Sequence, residues 1–246
     1  MNNSLLSFLL EMEDIWQTTL NSQLTTRQKI QFQRLYELIL QGNLKLNLTR
    51  IIEPQDFWEK HLWDSLRGVV SLLSNSHNQL SVIDIGTGGG FPGIPFAIML
   101  PNSQVNLLDS TQKKVTFLTQ IIPELELHNV TTTVGRAEKI GHNPKYREQY
   151  DVALIRAVSN TSACIEYTLP LIKKGGLAII YRGNWMDYEI TSVTGVAKQL
   201  GGVIAYIDKF KTPLSQGTRH CLYLKKITKT SSKFPRPIGI PNSKPL

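Results

Sequence analysis

The sequence predicts an α/β fold: a doubly wound, mostly parallel seven-stranded sheet preceded by a small helical extension. Three observations carry this. Short apolar segments recur between residues 82 and 225, with helical stretches separating the first six of them. A glycine-rich turn, Gly86-Thr87-Gly88-Gly89-Gly90-Phe91-Pro92-Gly93, joins the apolar run at 80–85 to a helix-compatible stretch at 94–100. That is the pattern of a buried strand turning tightly into a helix. The last two apolar segments have no helix between them, so they should pair as an antiparallel hairpin at the sheet edge.

Taken in order, residues 1–78 read as the helical extension. Stretches 5–20 and 26–41 are amphipathic; in the second, Phe32, Leu35, Tyr36 and Ile39 recur at helical spacing, with Thr25 or Thr26 as N-cap and Gly42 as the stop. A short alternating segment covers 44–51, and Pro54 opens a third helix to about residue 73. Residues 74–79 form a linker. The α/β domain spans 79–226, with strands expected at 82–85, 105–109, 130–134, 152–155, 177–181, 203–207 and 220–225. Helices are expected at 113–122 and 161–171 among others. A basic, proline-rich tail, 227–246, ends the chain; its prolines would keep it extended along a nucleic-acid backbone, or it lies along the domain and covers apolar surface with Phe234 and Leu246.

At 246 residues with 41% hydrophobic and 19% charged composition, this is one large globular domain or one domain with an appendage. Cys164 and Cys221 form no metal-like or redox pair, which implies reduced thiols and a cytoplasmic protein. No apolar run approaches the ~18 residues of a membrane span. The apolar start, Leu5 to Leu10, lacks a preceding positive charge and reads as a helix face, not a signal peptide. The net charge of +8 is segregated: nine Lys/Arg and no acid follow Asp208, leaving 18 basic against 19 acidic residues before them. Such a block fits a polyanion such as nucleic acid, or equally a solvated tail that aids solubility.

The glycine turn fits two registers. Gly88 to Gly93 matches the G-x-G-x-x-G of dinucleotide binders, whereas Asp84 to Gly90 matches the D-x-G-x-G-x-G of S-adenosylmethionine (SAM) enzymes. A pyrophosphate seeks bare amide groups and would be repelled by Asp84, while the sulfonium and amino groups of SAM would be attracted to it. This favours SAM over a dinucleotide, the strand–helix context disfavours a ligand-free turn, and Asp84, Gly86 and Gly88 become candidate cofactor residues. Asp109, 23 residues after Gly86, stands where a strand-end carboxylate accepts ribose hydroxyls; capping of the next helix is its alternative role. Gly135-Arg136-Ala137-Glu138 follows the third strand, where backbone groups of Ala137 and Glu138 could read an adenine edge.

Arg156 closes the fourth strand. Amino methyltransferases carry [DNS]-P-P-[YFW] here, and that motif is absent. Cys164 has no preceding proline and reads as a buried hydrophobe, not as the nucleophile of cytosine-C5 chemistry. Guanine N7 remains attractive: its lone pair carries no proton, so methyl transfer needs alignment and no general base. An Arg could hold O6 or a phosphate, although a strand-end ion pair is the other reading of Arg156. His61, Asp64 and Ser65 share a helix face and fit a polar stripe docking helix to core better than a hydrolase triad.

Together Asn47-Leu48-Thr49, His61-Leu62-Trp63-Asp64-Ser65, Asp84 through Gly93, Leu108-Asp109-Ser110, Arg136-Ala137-Glu138, Arg156-Ala157 and the tail from Phe234 to Leu246 closely resemble the bacterial 16S ribosomal RNA guanine-N7 methyltransferases, the glucose-inhibited division protein B family. The resemblance implies a Rossmann-like SAM-dependent methyltransferase fold. It also implies cofactor contacts at Gly86, Phe91, Asp109, Ala137, Glu138 and Arg156. On the substrate side, Asn47, His61, Asp64, Arg156 and Arg236 become candidates, with the last reaching RNA phosphates from the tail. The implied partner is 16S rRNA or the small ribosomal subunit, bound by a cytoplasmic monomer with no membrane or metal. Two rivals stay open: a nicotinamide-dependent oxidoreductase, and a SAM-binding RNA-associated protein without turnover.

Overall fold

The computed structural model describes every residue except 1–7, 10, 11, 75–78, 184, 187 and 188. Its centre is a seven-stranded sheet in the order β3-β2-β1-β4-β5-β7-β6. The strands are β1 (Ser81–Ile85), β2 (Gln104–Asp109), β3 (Val130–Val134), β4 (Tyr150–Arg156), β5 (Ile172–Arg182), β6 (Gly202–Lys211) and β7 (Thr218–Lys226). The first five run parallel; β7 inserts antiparallel between β5 and β6, which makes the expected edge hairpin. Strand order reverses between β1 and β4, so the crevice beyond their carboxyl ends is the ligand position of an open α/β sheet.

Strand alternation builds two cores. Val82, Leu107, Val152, Leu154 and Ile179 face one side, and Ile83, Ile85, Leu108, Ile155 and Ile180 the other. The first core is covered by α1 (Glu13–Leu20), α2 (Thr26–Leu46), α3 (Pro54–Phe57), α4 (Asp64–Arg67), α5 (Val70–Leu73), α6 (Gly93–Met99) and α7 (Gln112–Glu124). The second lies beneath α8 (Ala137–Ile140), α9 (Thr161–Thr168), α10 (Glu189–Gln199) and the terminal α11 (Ile240–Ser243). Residues read as an N-terminal extension therefore share a core with the sheet: Trp16, Phe32, Leu35, Trp58 and Trp63 are buried in the same cluster as Val82. The first part of the expected 5–20 helix and most of the 74–79 linker fall outside the described residues.

Two local expectations change. Thr25 caps α2 through a capping box with Gln28, yet the helix passes Gly42 and ends at Leu46, where Asn47 takes the left-handed conformation. Gly42 serves close packing instead: a Cβ there would lie 2.4 Å from the Phe117 ring of α7. The third helix is not uniform. Between α3 and α4 it widens into a π-helical turn, Trp58–Trp63, with the Asp64 N–H bonded to the Glu59 carbonyl. Such turns re-aim side chains and recur at functional sites.

The tail also departs from an extended RNA-tracking segment. Phe234 is buried, and the Arg147 guanidinium donates to the carbonyls of Gly141, Thr230, Ser231 and Phe234. Lys226 is fully buried against Leu169 O and Thr230 Oγ1; burial lowers its pKa to about 8. Among the described residues no helix is long and apolar enough to cross a membrane.

Candidate active site

The β1–α6 loop is shaped by its glycines. Gly86 and Gly88 have φ of +68° and +59°, and a Cβ on Gly86 would come within 2.5 Å of Val158 Cγ2. Asp84 was expected to touch a cationic cofactor group; instead it is fully buried and staples the loop. Its Oδ2 accepts from the Thr87 hydroxyl at 2.6 Å and from the Gly93 N–H at 2.8 Å. Its Oδ1 has no hydrogen-bond partner, and burial raises the carboxyl to about 6. At neutral pH it is a buried negative charge that acts on a nearby cation through its field.

Asp109 ends β2 at the crevice. The Gly88 N–H donates to its Oδ2 at 3.0 Å and the Thr111 N–H to its Oδ1 at 2.8 Å, which fixes the carboxylate's orientation and leaves each oxygen a free lone pair. So the helix-entry role is filled, and it leaves the carboxylate able to accept from further donors. Gly86, Asp109, Arg136, Ala137, Glu138 and Tyr167 line a cavity of about 200 Å³. Arg136 is the extended N-cap of α8, so the Ala137 and Glu138 amides open a helix whose first turn lacks intrahelical partners. The donor set suits an adenosine: a carboxylate for the diol, backbone amides for the base, and glycines where a Cβ would intrude.

A second cavity of about 460 Å³ adjoins the first at the end of β4. Lys60, His61, Asp64, Arg156, Arg182 and Arg219 line it, four cations against one carboxylate among the described residues. Arg156 is the hub: its Nη1 donates to Asp64 Oδ2 and to Lys60 O, both at 3.0 Å, and its Nη2 lies 3.4 Å from His61 Nδ1. Thus the ion-pair reading of Arg156 is correct, and that pair stands in the crevice. His61 stacks on Phe91 at 4.4 Å between centroids and bonds Thr49 Oγ1 through Nε2 at 2.8 Å. Burial, with the charges of Arg156 and Lys60, lowers the His61 pKa to about 3, so the ring is neutral at physiological pH. Ser65 turns inward; its hydroxyl bonds the His61 carbonyl and its own carbonyl accepts from Tyr181.

Other candidates sit elsewhere. Phe91 packs between His61 and Phe57 and is not in the wall of the nucleoside cavity. Asn47 caps α2 and lines neither crevice cavity, whereas Thr49, two residues on, holds His61. Arg236 is corrected outright: its backbone N–H and guanidinium grip the fully buried Glu166, with Nη2–Oε2 at 2.7 Å, so it is not free for RNA phosphates. Sequence reasoning missed Arg182, Arg219 and Glu59. Arg182 pairs His220 across β5 and β7, so correct register would have brought both to the crevice. Glu59 carried no signal; its buried carboxylate accepts from the Leu214 and Ser215 amides and the Ser215 hydroxyl, which pins the β6–β7 turn beside Arg219. Burial opposes its ionisation, but these bonds hold its pKa below the usual value.

The family model described as rRNA small subunit methyltransferase G matches residues 28–221. Relatives named ribosomal RNA small subunit methyltransferase G include one from Nostoc punctiforme, 61% identical over 98% of this chain and 99% of its own. Another, from Trichodesmium erythraeum, is 53% identical over 100% and 98%. Among solved structures, a 16S rRNA (adenine(1408)-N(1))-methyltransferase from Catenulisporales acidiphilia superposes with TM-score 0.53 at 12% identity, over 65% of this chain and 92% of that one. A putative transferase from Pyrococcus horikoshii gives TM-score 0.53 at 17% identity, over 68% and 64%. These two likenesses concern the fold.

Proposed function

Because the chain belongs to the rRNA small subunit methyltransferase G family, we propose that it transfers the methyl group of SAM to N7 of one guanine in small-subunit ribosomal RNA. The observation that carries the choice of N7 is that, among the described residues lining the cationic cavity, no group is poised as a base. His61 is neutral with a pKa near 3 and both ring nitrogens engaged, and Asp64 is ion-paired with Arg156. Such a site cannot take up a proton efficiently at neutral pH. Guanine N7 offers a bare lone pair and needs no such step.

Bound SAM supplies an electrophilic methyl group on its sulfonium. The chain's own residues bind and align. Asp109 accepts from the ribose hydroxyls, the Ala137–Glu138 amides meet the adenine, and Gly86 and Gly88 let the cofactor approach the backbone. The buried Asp84 charge favours the cofactor's cationic end over a pyrophosphate, which argues against a nicotinamide reading. On the substrate side the cationic cavity receives the nucleotide. Arg156, held by Asp64, Lys60 O and His61, keeps its guanidinium in one orientation, able to donate to O6 or a phosphate while leaving N7 open. Arg182 and Arg219 raise the local positive potential toward a polyanion. Pre-oriented groups of this kind act through proximity, which can contribute several kcal/mol. The reaction belongs in the cytoplasm, with the small ribosomal subunit or its RNA as partner.

Mass spectrometry of small-subunit RNA from cells with and without this protein tests the proposal. One N7-methylguanosine should vanish when the protein is removed; an unchanged nucleoside profile contradicts it, and would favour a SAM-binding protein without turnover.

A further inference from the structure

We propose that the C-terminal segment from Gly239 to Asn242 is a working part of the cofactor site, closing over the nucleoside of SAM and gripping it once bound. This rests on the SAM reading above and extends it to residues far from the glycine loop in sequence. Gly239 and Asn242 both stand in the wall of the cavity that holds Gly86, Asp109, Ala137 and Glu138. Two polar latches hold them there. The Gly239 N–H donates to Glu138 Oε1 at 3.0 Å, and the Ser159 hydroxyl donates to Asn242 Oδ1 at 2.6 Å. Both latch partners belong to the cavity wall as well. Asn242 keeps its amide nitrogen to donate to an acceptor on the nucleoside.

The segment's approach is fixed upstream, independently of the cavity. Arg236 is clamped on Glu166, His142 Nε2 lies 2.6 Å from Pro235 O, and Arg147 holds the carbonyls of Thr230 and Phe234. Beyond that anchor, Gly239 adopts φ of +82°, a turn that glycine makes without strain, and a Cβ there would meet nothing within 4 Å. The sharp turn delivers Asn242 to the cavity, with Pro241 buried beside it and the Lys244 carbonyl accepting from Arg236 Nη1. Size supports the same reading. With the strap in place the cavity holds about 200 Å³, less than the roughly 300–1,000 Å³ of pockets for larger ligands. It admits a nucleoside, and one bound there lies against the two latched residues. Docking of the strap and binding of the cofactor are thus linked, and each strengthens the other by the same factor.

The test deletes residues 238–246, which leaves Phe234 and the Arg236–Glu166 clamp intact, and adds an Asn242→Ala variant of the full chain. SAM affinity by calorimetry should fall roughly tenfold in the truncated chain and about threefold in Asn242→Ala, the scale of one or two lost hydrogen bonds. In the full chain, SAM should slow hydrogen exchange of the 239–243 amides at least about tenfold. Wild-type affinity in both variants, or exchange unaffected by SAM, overturns the inference while leaving the SAM reading in place. Should the truncated chain fail to fold, Asn242→Ala and the exchange measurement decide alone. A full chain that binds no SAM defeats the reading of the site and this inference with it.

Discussion

Arg156 works through three partners at once, so its charge and its shape can be separated. Arg156→Lys keeps the charge and loses the fork that spans Asp64, Lys60 O and His61. Methyl transfer should fall by roughly a hundredfold, the scale of a lost preorganised donor, while SAM affinity stays within about threefold; wild-type turnover would remove Arg156 from the site. Asp109→Ala should weaken SAM binding by roughly 1.5–3 kcal/mol, since it removes a charged acceptor from the ribose, as read by calorimetry. His61 gives a pH signature. Its pKa is about 3 in the folded chain against 6.5 when exposed. The folded state therefore binds fewer protons in that window, and stability falls as pH drops through it. Asp84, raised to about 6 from 3.8, opposes this, because there the folded state binds more protons and gains stability on acidification. Melting curves of wild type and His61→Phe between about pH 7 and pH 4 isolate the histidine: the variant should lose less stability on acidification, and parallel profiles would contradict a buried neutral His61. The sequence motif singled out Asp84 and Asp109, yet assigned Asp84 a contact where the structure has it brace the loop. A carboxylate's burial depends on tertiary packing, which the motif does not encode.

Elements were legible wherever a local period forced them. All seven strands were expected: the central ones, buried on both faces, read as continuous apolar runs bounded by turns, whereas the edge strands β3 and β6 are partly exposed. The extent of α2 was misread because one helical glycine costs only about 1 kcal/mol relative to alanine, and Gly42 was needed against Phe117. The π-helical turn at Trp58–Trp63 was not legible at all, since no residue pattern announces it. It carries His61 toward Arg156 and Glu59 toward the β6–β7 turn, and so joins the helical layer to both walls of the substrate cavity. Glu59→Ala removes a buried carboxylate and leaves three part-buried hydrogen bonds from Leu214 and Ser215 without their acceptor. Thermal and denaturant unfolding should show a loss of about 2–4 kcal/mol; a change below about 0.5 kcal/mol would mean the turn is held by other contacts.

At the scale of the whole molecule, the basic C-terminal block divides when folded. Lys226 and Arg236 are spent on internal partners, whereas Arg219 lines the substrate cavity and Lys209 and Lys211 lie exposed on the neighbouring strand β6. Counting charge along the sequence could not separate these sets, because the partners Glu148 and Glu166 lie 60 or more residues away. Lys229, Lys233 and Lys244 of the tail stay exposed as well, so free positive charge lies both on the tail and at the sheet edge. A Lys209→Gln, Lys211→Gln, Arg219→Gln triple variant should flatten the log–log salt dependence of RNA binding by up to about two units. Deleting 238–246, which removes only Lys244, should change that slope by less than about one unit; a larger change would mean that the segment acts on RNA binding beyond its single charge. The central claim, base-free methyl transfer to guanine N7, has one direct test. Purified protein is incubated with trideuteromethyl SAM and small-subunit RNA or particles, and the digested nucleosides are resolved by mass spectrometry. The account predicts the heavy methyl on N7 of a single guanosine; label on an exocyclic amine or a ring carbon, or no label, would contradict it.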